Sequence, residues 1–321
     1  MSEIKKQGKQ LYYLSVLTLV LTFCMIVLGG VVKNTGSSMA CPDWPTCNGS
    51  LMPEMVGAVA IEHSHRILGT VLGILACLMV LVGVRARKKE PLLHYSTLLA
   101  LGLVIAQGIL GGLTVLNKIS AFYSSLHLGL SHLFFATVLF IAFKSCATSC
   151  EQKSKDPIFP PKLITLAKIA CALVFVQICL GGIIRHFGAG PACGLGWQAA
   201  FLCQELDTGV RTLWPHNGPG QLHMLHRLNG YFVMFALIGL TIPLLKFARI
   251  NKLPSLRRLL IAIHATVFIQ VTIGLHVVST YISAVIVTLH LAFGLLLWAL
   301  VLSVFFRLNK KYMNEGAQCC A

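Results

Sequence analysis

The sequence predicts an all-α integral membrane protein of eight transmembrane helices, built as two parallel-repeat four-helix bundles. Three observations predict it. The 321 residues are 56% apolar and only 11% charged, with a mean hydropathy of +0.79, which leaves too little polar surface for a soluble globule of this size. Eight apolar stretches each approach or exceed the about 20 residues that a helix needs to cross hydrocarbon. Uncommon residue types then recur in constant order between the two halves.

The stretches run over 11–32, 58–84, 92–116, 122–145, 163–184, 223–247, 257–280 and 282–307. The net charge of +16 could point to nucleic acid, but its distribution points to topology. Of 26 Lys and Arg residues, 20 fall at one end of the spans: before the first, in every second connection, and after the last. At the other end stand Lys33, Lys118, Arg185 and Arg211. By the positive-inside rule both termini are cytoplasmic, and a nucleic-acid partner is not expected. The first span is longer than a signal-peptide core and lacks a small-residue cleavage pattern, and nothing resembles a transit peptide. A multi-pass protein of the bacterial cytoplasmic membrane is therefore expected, with the lipid bilayer as its first partner.

The internal repeat has three registers. A shift of 152 superposes Leu28-Gly29-Gly30 on Leu180-Gly181-Gly182 and Cys41 on Cys193. A shift of 161 carries His65-Arg66 onto His226-Arg227 and Gly69 onto Gly230. A shift of 163 carries Gln107 onto Gln270, Gly111 onto Gly274, and Leu126-His127-Leu128 onto Leu289-His290-Leu291. An even number of helices per half makes the halves parallel repeats, divided as 1–155 and 156–321. The added residues fall between Cys193 and His226, so divergence is greatest in the outer loops.

Ionisable groups at membrane depth are costly and mark function. His65, His127, His226 and His290 obey the repeat, one on the second and one on the fourth helix of each half. Two neutral imidazoles facing each other from opposed helices suit the iron of a haem. One turn beyond them stand Gly69, Ser131, Gly230 and Gly294, small enough for a porphyrin to approach the backbone or for helices to pack closely. Zinc prefers tetrahedral sets that include Cys or carboxylate, so two histidines per half favour haem. The remaining histidines carry weaker expectations: His63 and His94 at surfaces, His132 and His264 in hydrogen bonds between helices, His186 and His216 in the long outer loop, and His276 as a propionate neighbour.

Only Glu62 among ten acidic residues is expected on a ligand-bearing helix, three residues before His65 and on its face. Its counterpart is His223, so the two haems are expected to do different work. A carboxylate beside a haem can accept a proton or stabilise developing positive charge; at a helix start it can also answer the dipole. Arg66 and Arg227, directly after the paired histidines, read as haem propionate partners, with snorkelling to the interface as the alternative.

Twelve cysteines sort by topology. Cys41 and Cys47 share the first outer loop, and Cys193 and Cys203 the equivalent loop of the second half. In an oxidising compartment each pair is expected to form a disulfide. Cys24, Cys77, Cys171 and Cys179 read as buried apolar residues, and Cys146, Cys150, Cys319 and Cys320 as free thiols.

Together, Cys41-Pro-Asp-Trp-Pro-x-Cys47-Asn-Gly, Glu62-x-x-His65-Arg66, His226-Arg227 and the two Leu-His-Leu segments resemble the haem A synthase family over essentially the whole chain. The resemblance implies that His65 and His127 bracket the substrate, haem O, with Glu62 as the catalytic carboxylate. It implies that His226 and His290 ligate a resident haem b that relays electrons. It also implies oxidation of a ring methyl through a hydroxymethyl stage to a formyl group, with haem O synthase and an electron acceptor as further partners. A di-haem b-type cytochrome that only transfers electrons would explain the histidines without Glu62. A repeat-built transporter would leave them idle.

Overall fold

The computed structural model describes residues 3–149, 158–206 and 208–309. The expected boundary at 155/156 lies outside them. The helices are α1 (Glu3–Asn34), α2 (Gly57–Ala86), α3 (Pro91–Leu116), α4 (Ala121–Ser149), α5 (Pro161–His186), α6 (Gly218–Ile250), α7 (Pro254–Ser279) and α8 (Ala284–Leu308). All eight are long and apolar enough to cross a membrane, as expected for a multi-pass membrane protein. The only sheet among the described residues is a two-residue antiparallel pair in the α5–α6 loop, β1 (Cys203–Gln204) against β2 (Arg211–Thr212).

Helices run past the apolar stretches because a helix continues while its backbone bonds are satisfied, whatever its side chains face. Glu3 accordingly lies on α1 and not in a tail, and His186 is the last residue of α5 and not part of the loop. Proline stands in the first turn of α3, α5, α6 and α7, where its missing N–H costs nothing. Asn217 caps α6 by accepting from the Gly220 amide at 2.7 Å. Hydroxyls within the spans donate to carbonyls one turn back, as Thr22 to Thr18 at 2.6 Å and Thr241 to Leu237 at 2.6 Å. This disposes of polar atoms that hydrocarbon cannot solvate.

α1 packs on α2, α4 and α8, while α5 packs on α6, α8 and α4. The contact between the first four helices and the last four is reciprocal. A Cβ on Gly30 of α1 would stand 2.7 Å from the Leu291 methyl of α8, and one on Gly182 of α5 would press on Leu128 of α4. These four residues are the matched positions of the repeat, so one motif makes both contacts. Around them Ile26, Leu139, Leu163, Leu237, Leu295 and Trp298 form a common core. Trp298 stacks on Phe175 at 5.4 Å between ring centres and donates to the Cys171 carbonyl.

The short α3–α4 and α7–α8 connections also agree. Lys118-Ile119 and Tyr281-Ile282 each place two successive side-chain-bearing residues at positive φ, between 50° and 61°. Ile119 and Ile282 close the preceding helices by donating to Thr114 and Val277, both at 2.8 Å. At the opposite end of the bundle, Lys144 pairs with Glu90 at 3.0 Å under near-complete burial. Cys146, read as a free thiol, is disulfide-bonded; Cys150, Cys319 and Cys320 lie outside the described residues.

Gly182→Ala and Gly30→Ala are each expected to cost about 1–3 kcal/mol through overpacking. Thermal unfolding in detergent would measure this, and adding Leu128→Ala to Gly182→Ala should recover part of the loss, because the two sites touch.

Candidate haem-binding site

His65, His127, His226 and His290 all fall in the first two to three turns of α2, α4, α6 and α8, at the end that carries the α1–α2 and α5–α6 loops. Each ring lies against a glycine of the helix before its own. The Cε1 atoms of His65, His127, His226 and His290 would stand 3.0, 3.4, 3.1 and 3.1 Å from a Cβ on Gly29, Gly111, Gly181 and Gly274. A methyl group there would push the ring out of its slot, so glycine sets how deep the imidazole sits. These glycines were visible as repeat residues, and their role emerges only when neighbouring helices are brought together.

Of the two roles expected for the glycines one turn beyond the histidines, the structure shows close packing. Gly230 and Gly294 admit the Gln177 and Gln270 amides, and Gly69 admits the Met25 methyl, each within 3.3 Å of where a Cβ would be. Gln177 donates to the His226 carbonyl at 3.0 Å and lies 3.3 Å from its Nε2. Gln107 donates to the His127 carbonyl at 2.8 Å, and Gln270 lies 3.5 Å from His290 Nε2.

The residues present fit a haem. The Nδ1 atoms of all four histidines are buried without a hydrogen-bond partner, and buried imidazoles are rarely left so. The His226 and His290 rings face each other with centres 6.4 Å apart. Metal–imidazole bonds of about 2 Å on either side of one ion require a ring separation of about 6 Å.

Glu62 is 4% exposed, and both its oxygens are engaged. Oε2 accepts from the Cys41 amide at 2.9 Å and Oε1 from Arg66 at 2.7 Å. The Arg66 guanidinium spans the α1–α2 loop, donating to the carbonyls of Cys41, Asp43 and Thr46 at 2.8, 2.7 and 2.5 Å. Its donors thus hold the loop as well as the carboxylate. Arg227 donates from one terminal nitrogen to the Ala199 carbonyl at 2.8 Å and the Met224 sulfur at 4.0 Å, and its second terminal nitrogen is buried without a partner. His223, opposite Glu62 in the repeat, turns Nδ1 to the Ala189 carbonyl at 3.2 Å.

Both expected outer-loop disulfides are present, Cys41–Cys47 and Cys193–Cys203. The first closes a hairpin over α2 in which Asn48 and Gly49, at φ 52° and 77°, make the turn that Asn-Gly favours. Asp43 anchors it by accepting from the amides of Asn48 at 2.6 Å and Gly49 at 2.9 Å and from the Thr46 hydroxyl. Trp44 lies over Gly112 of α3, its ring 2.8 Å from where a Cβ would be. The loop is therefore tied to two helices at once.

The other histidines separate clearly. His63 is buried at 6% exposure, not at the surface: its face of α2 is covered by the disulfide loop. His94 is half-buried. His132 pairs with the Leu128 carbonyl of its own helix at 2.8 Å, not with a neighbour, because a carbonyl one turn back lies within reach of its Nδ1. His264 does reach between helices, to Thr241 of α6 at 3.0 Å. His276 bonds Thr272 at 2.8 Å and meets the edge of Trp197, and exposed His216 pairs with Glu205 of the α5–α6 loop at 3.0 Å.

The Asp43 carboxyl is held at about 2, below its ordinary 3.8, first by the Thr46 hydroxyl and then by the Gly49 and Asn48 amides. A depressed folded value means that the anchor acts in full above about pH 4 and is lost as pH falls toward 2. Reduction of Cys41–Cys47 by a phosphine should therefore quicken through this window in the native protein. In Asp43→Asn it should be fast at every pH.

Known proteins similar to this chain include several heme A synthases. A heme A synthase of Staphylococcus saprophyticus is 25% identical over 314 residues, covering 96% of this chain and 98% of that protein. One from Exiguobacterium sibiricum is 29% identical over 231 residues, 69% of this chain and 72% of its own. One from Shouchella clausii is 30% identical over 187 residues, 58% of this chain and 62% of its own. Residues 12–302 match the cytochrome oxidase assembly protein family (COX15-CtaA), and the chain belongs to that family.

Proposed function

We infer that the chain is a haem A synthase, an oxidoreductase that converts haem O to haem A by taking a ring methyl through a hydroxymethyl to a formyl group. The similarity along the whole chain to proteins of that name supports the reaction. One observation carries the assignment of roles: the glycine-backed histidine pair occurs twice, but a buried carboxylate accompanies only one of them. The α1–α4 half (1–155) is thus the substrate half and the α5–α8 half (156–321) the cofactor half.

In the substrate half His65 and His127 hold haem O from opposite faces. Oxidation of the methyl to the hydroxymethyl takes up one water and releases two electrons and two protons, and oxidation of the hydroxymethyl to the formyl releases two more electrons and two more protons. Glu62 stands as a fixed anion there, its orientation set by the Cys41 amide and Arg66. It can accept a proton from the reacting carbon or stabilise positive charge that develops on it. The loop over α2, pinned by Arg66 and Trp44, covers that end.

In the cofactor half His226 and His290 ligate a haem b, with the unpaired Arg227 nitrogen available to a propionate. When bound, a haem b supplies one-electron transfer, which passes the electrons drawn from the substrate toward an acceptor. The uneven distribution of Lys and Arg supports a haem-bearing end that faces outward from a bacterial cytoplasmic membrane, with both termini inside. Haem O synthase as supplier and a membrane electron acceptor complete the expected partners.

Expression in a host that makes haem O, followed by pigment extraction, tests the reading: haem A should accumulate with the native chain. Glu62→Ala should keep its bound haem and lose formyl product by about 100-fold or more; undiminished product would remove the carboxylate from the chemistry. His290→Ala should lose the haem b spectrum from the purified protein, whereas a spectrum unchanged in that variant would place the cofactor elsewhere. Bound haem without any haem A would leave a di-haem electron carrier.

A further inference from the structure

His63 lies beneath the Cys41–Cys47 disulfide. A ring nitrogen of His63 and both cysteine sulfurs all stand within 4.8 Å of one another. Both cysteines are fully buried, His63 is 6% exposed, and neither of its nitrogens has a hydrogen-bond partner. The proposed haem chemistry uses none of these three side chains.

The second half shows what this position needs for packing alone. At the shift of 161 the counterpart of His63 is Met224, which is 1% exposed and packs against Cys193 and Cys203. A thioether therefore fills the space under an outer-loop disulfide with no polar atom to satisfy. The first half buries an imidazole in the same place and leaves both nitrogens unsatisfied, a costly arrangement unless some state of the protein supplies a partner.

We propose that Cys41, Cys47 and His63 form a Cys2His site for a thiophilic divalent cation of the zinc type, which becomes available when the disulfide is reduced. The reductant is a dithiol. It transfers two electrons and two protons, becomes a disulfide itself, and leaves Cys41 and Cys47 as thiols. The cation then displaces the two thiol protons and takes the neutral His63 nitrogen as its third ligand. Three protein ligands leave a fourth position for water or chloride. Ligand atoms around tetrahedral zinc stand under about 4 Å apart, so the observed grouping needs side-chain adjustment only. Two thiolates neutralise the cation, and Glu62 and Arg66 already neutralise each other beside it. This inference does not depend on the proposed reaction.

The test uses the full chain in detergent, as purified and after phosphine reduction, titrated with zinc against a chromophoric chelator. The reduced native protein should bind one more zinc than the oxidised protein. That equivalent should vanish in Cys41→Ser/Cys47→Ser and weaken at least tenfold in His63→Met, a variant that adopts the packing of the second half and so keeps the loop folded. X-ray absorption should read two sulfurs and one nitrogen around the added metal. Equal zinc uptake by the reduced native and double-serine proteins would overturn the site, as would native affinity in His63→Met.

Discussion

Four imidazoles pressed against four glycines of the preceding helices are the contact on which the rest of this structure depends. Glycine is a poor helix former in water, but within a bilayer it lets two helices approach until a side chain of one rests on the backbone of the other. Gly29, Gly111, Gly181 and Gly274 seat His65, His127, His226 and His290 in this way. The adjacent Gly30 and Gly182 receive Leu291 and Leu128 from the opposite half. A Gly-Gly pair thus does two jobs on two faces of one helix: one residue sets the depth of a histidine, and the next joins the halves. The leucines that complete this contact flank histidines, so the four histidine rings and the joint between the halves are mechanically one assembly.

On that symmetric frame the two halves carry different side chains toward the loops. The first has Glu62, His63 and Arg66, and the second His223, Met224 and Arg227. In the first half a carboxylate holds a loop amide and an arginine, the arginine holds three loop carbonyls, and a histidine supports the disulfide. The second half replaces this polar cluster with one bond from His223 to Ala189, one from Arg227 to Ala199, and apolar packing of Met224 on sulfur. Buried charge is retained where it is fully paired. The first loop is accordingly organised around an ion pair reaching it from α2, whereas the second carries a Glu205–His216 pair within the loop itself.

Loop and site are also coupled through the backbone. The Cys41 amide that Glu62 accepts belongs to a disulfide cysteine. The Asp43 carbonyl to which Arg66 donates belongs to the residue whose carboxylate anchors the Asn48-Gly49 turn. Displacement of this hairpin would withdraw the amide hydrogen bond from Glu62. The carboxylate therefore owes its orientation to residues far from it along the chain, and Trp44 over Gly112 ties the same hairpin to α3.

Eight spans, the repeat, the four paired histidines, the single carboxylate beside one of them and the two loop disulfides were all legible in the sequence, because each depends on composition or on spacing along one helix or loop. What each small residue touches was not. Gly69 and Gly230 offered room for a porphyrin or for close packing, and they pack against Met25 and Gln177, which helical periodicity could not name because it assigns a face without naming the neighbour. His63 looked superficial because it is two residues from His65, yet the loop that covers it approaches from elsewhere in the chain. The sequence by itself determined which segments cross the membrane and which residues form matched sets, through hydrophobicity and repetition. Only the tertiary structure decided which glycine seats which histidine and which loop amide and carbonyls Glu62 and Arg66 engage, because those contacts join residues brought together by the packing of separate helices and loops.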